Sequence, residues 1–127
     1  MSQESVSPYT TTASLLATTW LCLPFNILLA AAALWQGAGL WQTGITVVLA
    51  LAVLWLHIRV DFDRRVFAAW QAGQGDADRF DADLQLLGLG RPGGRTATER
   101  CRGALRWWKR LLWATVAQGV WLLVLCI

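Results

Sequence analysis

Apart from Glu4, no Asp, Glu, Lys or Arg occurs in this 127-residue chain before Arg59 or after Arg110. A sequence that is 56% hydrophobic and has nine tryptophans, with charge confined to one internal stretch, lacks the polar surface a soluble domain of this size needs. Histidine occurs once, as His57, which excludes a bis-histidine haem within one chain and requires any metal site to borrow ligands from a partner. The three cysteines, Cys22, Cys101 and Cys126, have no CxxC spacing, so neither a zinc site nor a disulfide framework is indicated. They are expected to be free thiols packed as small apolar side chains. Neither a cofactor nor a metal is expected. Lysine also occurs once against ten arginines, a composition that hints at a GC-rich bacterial genome.

What is present is three uncharged runs. Ala13–Trp35 has 23 residues, Leu40–Ile58 has 19 and Leu111–Ile127 has 17. At about 1.5 Å per residue the first is long enough for a bilayer core of about 30 Å, and the third needs Trp107 and Trp108 to complete it at the interface. Four residues, Gln36 to Gly39, separate the first two runs and predict a tight antiparallel turn, with Trp35 and Trp41 flanking it as an interfacial aromatic belt would. All eleven Lys and Arg lie between Arg59 and Arg110, so the positive-inside rule puts that segment and the N-terminus in the cytoplasm and Ile127 in the periplasm. Ala30 to Ala33 offers a small-residue cleavage site, but no positive charge precedes the apolar run and the run exceeds an ordinary signal core. The expectation is therefore an all-α membrane protein of the bacterial inner membrane, with a helical cytoplasmic hairpin between spans two and three. Its segments are a tail over 1–12, spans over 13–35, 40–58 and 111–127, and a cytoplasmic helical loop over 59–110.

Within the loop, residues 59–72 lack Gly and Pro, which predicts that span two continues as a helix until Gly73 and Gly75. A short helix over 78–87 would carry Phe80, Leu84 and Leu87 on one side, and Gly88, Gly90, Pro92, Gly93 and Gly94 make the main break. Thr96 followed by Glu99 has the form of a capping box opening the last helix, on which Arg95, Glu99, Arg102 and Arg106 share one face. Cys101, Leu105, Trp108 and Leu112 share another. Residues 59–83 hold four Arg and six Asp, net −2, whereas 91–110 hold seven basic residues and one Glu, net +6. The two arms should attract, with Phe62, Trp70, Phe80 and the Leu84 to Leu87 cluster supplying the packing.

Four groups of side chains are candidates for function. His57, Arg59, Asp61, Asp63, Arg64 and Arg65 form a dense interfacial polar cluster, in which a helix brings His57 to Asp61, Arg59 to Asp63, and Asp61 to Arg64 and Arg65. A carboxylate beside that imidazole suits a proton relay or a quinone head group, while the plainer reading is a helix exit laced with ion pairs. Arg106, Trp107, Trp108, Lys109 and Arg110 combine cations with indoles, a pattern for anchoring to anionic lipid head groups. Nucleic acid is disfavoured, because these cations would lie against a like-charged membrane surface. Within the spans, Asn26 and Gln118 are the most polar groups at depth, expected to hydrogen-bond each other or a partner helix. Pro24 should kink helix one near Trp20, and Ala33 with Gly37 has the small-xxx-small spacing of close helix contacts.

Two further patterns fail on inspection. Gly88, Gly90 and Gly93 spell GxGxxG without a β-strand before it or room for a parallel sheet. Asp76, Asp78, Asp81 and Asp83 have no glycine at the sixth place of a calcium loop, and Leu87 stands where its bidentate glutamate belongs. With no nucleophile and base at readable spacing, the sequence favours a non-catalytic accessory, assembly or regulatory subunit of a bacterial inner-membrane complex. Its partners would be membrane lipids and another membrane protein or a second copy. A homo-oligomeric pore or small transporter, holin-like, is the alternative, and a small membrane enzyme acting on lipid or quinone through His57 and Asp61 is a third.

Overall fold

A computed structural model describes residues 8–36, 39–73, 77–89 and 96–127. Its helices are α1 (Pro8–Ala17), α2 (Thr19–Trp35), α3 (Leu40–Gln71), α4 (Ala77–Leu86) and α5 (Ala97–Cys126), with no strand among the described residues. Pro8 opens α1 five residues before the uncharged run, a position suited to a residue without an N–H, so residues 8–12 belong to the helix rather than to a tail. Gly37 of the small-xxx-small pair, with Gly75, Asp76, Gly90, Pro92, Gly93, Gly94 and Arg95, lies outside the described residues.

The helix is interrupted at Thr18, between α1 and α2, and Pro24, expected to kink it near Trp20, sits inside α2. Hydroxyls contribute to the interruption. Ser14 donates to the Thr10 carbonyl at 2.9 Å, Thr18 to Leu15 at 2.7 Å and Thr19 to Leu16 at 2.7 Å, and the Thr18 N–H turns to Leu15 at 3.2 Å in a tighter i→i−3 bond. Side-chain bonds to preceding carbonyls compete with the helical ladder and loosen it where several occur together.

The α1–α2 rod, α3 and α5 pack as an antiparallel three-helix bundle whose register is set by side-chain pairs along its length. Tyr9 stacks on Phe67 at one end, Asn26 meets His57 midway, and Gln36 donates to the Cys126 sulfur at the other. Tyr9–Trp35, Leu40–Gln71 and Ala97–Cys126 are each long and apolar enough to cross a membrane. At about 1.5 Å per residue the 32-residue α3 is about 48 Å long, more than the thickness of a hydrocarbon core of about 30 Å.

Burial differs along the bundle. Over the charged end the interior is apolar, with Val60, Phe67, Cys101 and Ala104 buried beside Tyr9 and Trp70. Over the uncharged runs the buried set mixes Thr19, Asn26, Thr46, His57 and Gln118 with Leu16, Ala33, Val53, Leu56 and Leu111, while Leu21, Leu28, Val48, Leu51 and Leu123 face outward. Apolar side chains outside and polar groups gathered inside suit helices in lipid, where association relies on hydrogen bonds and close packing rather than on hydrophobic burial.

Two caps define the loop helices. Leu89 N–H bonds the Leu84 carbonyl at 2.9 Å and Gly88 N–H bonds Gln85 at 3.0 Å, a Schellman closure with Gly88 at φ +69°, where a side chain would be strained. At the start of α5 the Thr96 hydroxyl accepts from Glu99 N–H at 3.2 Å, and Glu99 returns a carboxylate oxygen to Thr96 N–H at 3.0 Å. Thr96→Ala removes one half of this box, and an unfolding free energy lowered by about 1 kcal/mol is expected, with amide exchange rising in the first turn of α5.

Candidate functional site

The polar groups carried by the apolar runs meet inside the bundle. Asn26 on α2 donates through Nδ2 to His57 Nε2 on α3 at 3.0 Å and to Thr115 Oγ1 on α5 at 3.1 Å, and Thr115 donates on to the Leu111 carbonyl at 3.0 Å. One layer away, Trp121 Nε1 donates to Thr46 Oγ1 at 2.9 Å, and Thr46 donates to the Gln42 carbonyl at 2.9 Å. Each of the three helices is thus tied to a neighbour by a hydrogen bond within its uncharged section.

The bond expected between Asn26 and Gln118 is not among these. The antiparallel register sets His57 opposite Asn26, and the Asn26 amide is used there. Gln118, on the same face of α5 one turn beyond Thr115, is 4% exposed, and among the described residues neither its amide nitrogen nor its oxygen has a hydrogen-bond partner, nor does Asn26 Oδ1. Unpaired amide groups at such burial cost stability, on the order of 1–3 kcal/mol.

The cluster expected from His57 to Arg65 divides in two. His57 turns into the bundle toward Asn26, not to Asp61. Asp61 instead accepts from Arg64 Nη2 at 2.9 Å and Arg65 Nε at 2.7 Å, and Arg59 pairs with Asp63 at 3.6 Å. The His57 and Asp61 side chains therefore leave the helix on different errands, and the relay geometry of an imidazole held by that carboxylate is absent. The cluster at the start of span three divides as well. Trp107 packs its ring edge-on against Trp55 at 5.3 Å, Arg110 lies over the Trp107 ring at 4.6 Å, and Trp108 Nε1 donates to Thr18 Oγ1 at 3.1 Å. Arg106 and Lys109 are exposed and form no ion pair among the described residues.

Attraction between the acidic and basic arms is seen most directly, among the described residues, at Arg100 and Asp81. Arg100 on α5 grips Asp81 on α4 with both ends of its guanidinium, Nη1 to Oδ1 at 2.8 Å and Nη2 to Oδ2, and lies over the Trp70 ring at 5.4 Å. Phe80 of α4 meets Trp70 at 5.5 Å and Phe62 at 6.5 Å, which anchors the short helix to α3. The leucines expected to share this packing do not all do so. Leu84 is half-buried, but Leu86, Leu87 and Leu89 are 86%, 71% and 76% exposed, because the helix ends at Leu86 and the Schellman turn carries the following residues away.

Sequence reasoning missed Tyr9, Thr115, and the Thr46–Trp121 and Thr18–Trp108 pairs. No spacing rule signals them, since each depends on which helix faces are brought together. Among the described residues no group of three or more His, Cys, Asp or Glu is placed to hold a metal. Comparison with models of protein families, with curated proteins and with solved structures finds no match for this chain.

Proposed function

We propose that this chain is a non-catalytic accessory, assembly or regulatory subunit of a bacterial inner-membrane protein complex. It crosses the bilayer three times, with the N-terminus and the 59–110 loop in the cytoplasm and the C-terminus in the periplasm. The observation that carries this reading is the set Leu86, Leu87 and Leu89, all exposed although they belong to the charged 59–110 segment. Burying a leucine is worth about 1.5–3 kcal/mol, so three together on a charged loop suit a protein-docking surface. The α4 helix that presents them is fixed by Arg100, Asp81 and Phe80, which gives the surface a defined position.

Two other readings have less support. A homo-oligomeric pore needs Asn26 and Gln118 on a lumen shared between copies, whereas both are buried within a single copy. A lipid or quinone enzyme working through His57 and Asp61 needs those groups in contact, and their hydrogen bonds lead elsewhere. Purification in mild detergent should yield one stoichiometric protein partner from wild-type membranes. The variant Leu86→Gln/Leu87→Gln/Leu89→Gln should insert and accumulate normally while losing at least nine-tenths of that partner. A wild-type chain that purifies alone, or full retention by the variant, refutes the docking role.

A further inference from the structure

On the outward face of α5 the cations Arg102, Arg106 and Lys109 are followed at i+3 and i+4 steps by Trp113, Val116 and Val120, all exposed. Helical neighbours at this spacing stack one above another, so the face is a single stripe that changes from cationic to apolar between Lys109 and Trp113. Directly below the change lies a shallow, open hollow of about 200 Å³ on the surface of α5 itself, between the side chains of Lys109, Leu112, Trp113 and Val116. Its walls are hydrocarbon and indole, with one ammonium at the rim.

We propose that this stripe binds one anionic phospholipid, its phosphate on Arg106 and Lys109 and the upper part of an acyl chain in the hollow beneath. Of the five residues 106 to 110, these two are the exposed cations with no ring contact or ion pair among the described residues. Arg110 is held over Trp107, Trp107 is packed on Trp55, and the Trp108 N–H is spent on Thr18. Glu99, the carboxylate nearest in sequence, is bound back to the Thr96 N–H in the cap, leaving the two cations uncompensated. The occupant follows from charge: a zwitterionic lipid brings its own cation to the same place, a free phosphate leaves the apolar hollow unused, and an apolar partner helix leaves the two cations unanswered. An anionic phospholipid satisfies both halves. The proposal rests on the bilayer placement above and not on the docking of a protein partner.

Native mass spectrometry of the full chain in mild detergent, titrated with phosphatidylglycerol or phosphatidylcholine, reads the site. One phosphatidylglycerol should be retained in preference to phosphatidylcholine. With about 1 kcal/mol from each cation near the surface, Arg106→Gln/Lys109→Gln should weaken it about tenfold to thirtyfold. Arg79→Gln, which removes one charge from exposed α4, should leave it unchanged, and Trp113→Ala, at an exposed position, should weaken phosphatidylglycerol specifically. Equal retention of both lipids, undiminished binding by the double variant, or displacement of the lipid by millimolar inorganic phosphate overturns the proposal. Labelling of exposed Cys126 by a membrane-impermeant thiol reagent on sealed spheroplasts tests the bilayer placement separately, so a failed lipid site and a failed topology give different results.

Discussion

Asp81→Ala should raise amide exchange in α4 about 100-fold, whereas Arg100→Met should raise it only about tenfold. The two variants delete opposite ends of the same tie, and the inequality comes from burial. The Arg100 side chain is 7% exposed and lies between Asp81 and the Trp70 ring, while Asp81 is 23% exposed. Removing the carboxylate leaves a guanidinium in a site it cannot leave without unpacking, a loss of about 3 kcal/mol on the scale of buried ion pairs. Removing the arginine leaves a carboxylate that water can reach, and methionine keeps much of the contact with Trp70. At about 1.4 kcal/mol per tenfold these losses convert to the exchange factors given. Equal effects of the two variants would show that the pair is solvated and that Phe80 alone seats α4.

In the middle of the bundle, two substitutions of an amide by leucine should act in opposite directions. Asn26→Leu breaks the bonds to His57 and Thr115 and strands His57 Nε2, so an unfolding free energy in bicelles lower by about 2 kcal/mol is expected. Gln118→Leu removes an amide that has no hydrogen-bond partner at either end among the described residues and replaces it with a side chain of similar size, so a gain of about 1–2 kcal/mol is expected. Unfolding by steric trapping or by SDS titration measures both. A Gln118→Leu variant destabilised as much as Asn26→Leu would mean that Gln118 is satisfied in the bilayer, for which a buried water is the simplest agent.

These two predictions separate what could be read along the chain from what could not. The three uncharged runs, the helical continuation of α3 to Gln71 and the Thr96–Glu99 cap are all local, set by hydropathy and by side chains reaching their own backbone. The ion pairs Arg59–Asp63 and Asp61 with Arg64 and Arg65 are equally local, being neighbours on one helix. The partner of Asn26 was not legible, because several polar groups lay at comparable depth and nothing in their spacing ranked them. The Leu87 exposure was missed because a helical pattern extends past Leu86 on paper, whereas Gly88 closes the helix.

Sequence by itself determined that this is a helical chain with three segments able to cross a bilayer and a charged loop between the last two. Transfer of apolar side chains out of water and the strength of backbone hydrogen bonds act segment by segment, whatever the neighbours are. Tertiary structure alone decided that His57 faces Asn26, that Arg100 takes Asp81 and that Arg106 and Lys109 are left to the surface. Those choices depend on the rotation and register of packed helices, which arise from the fit of whole faces and are carried by no single residue.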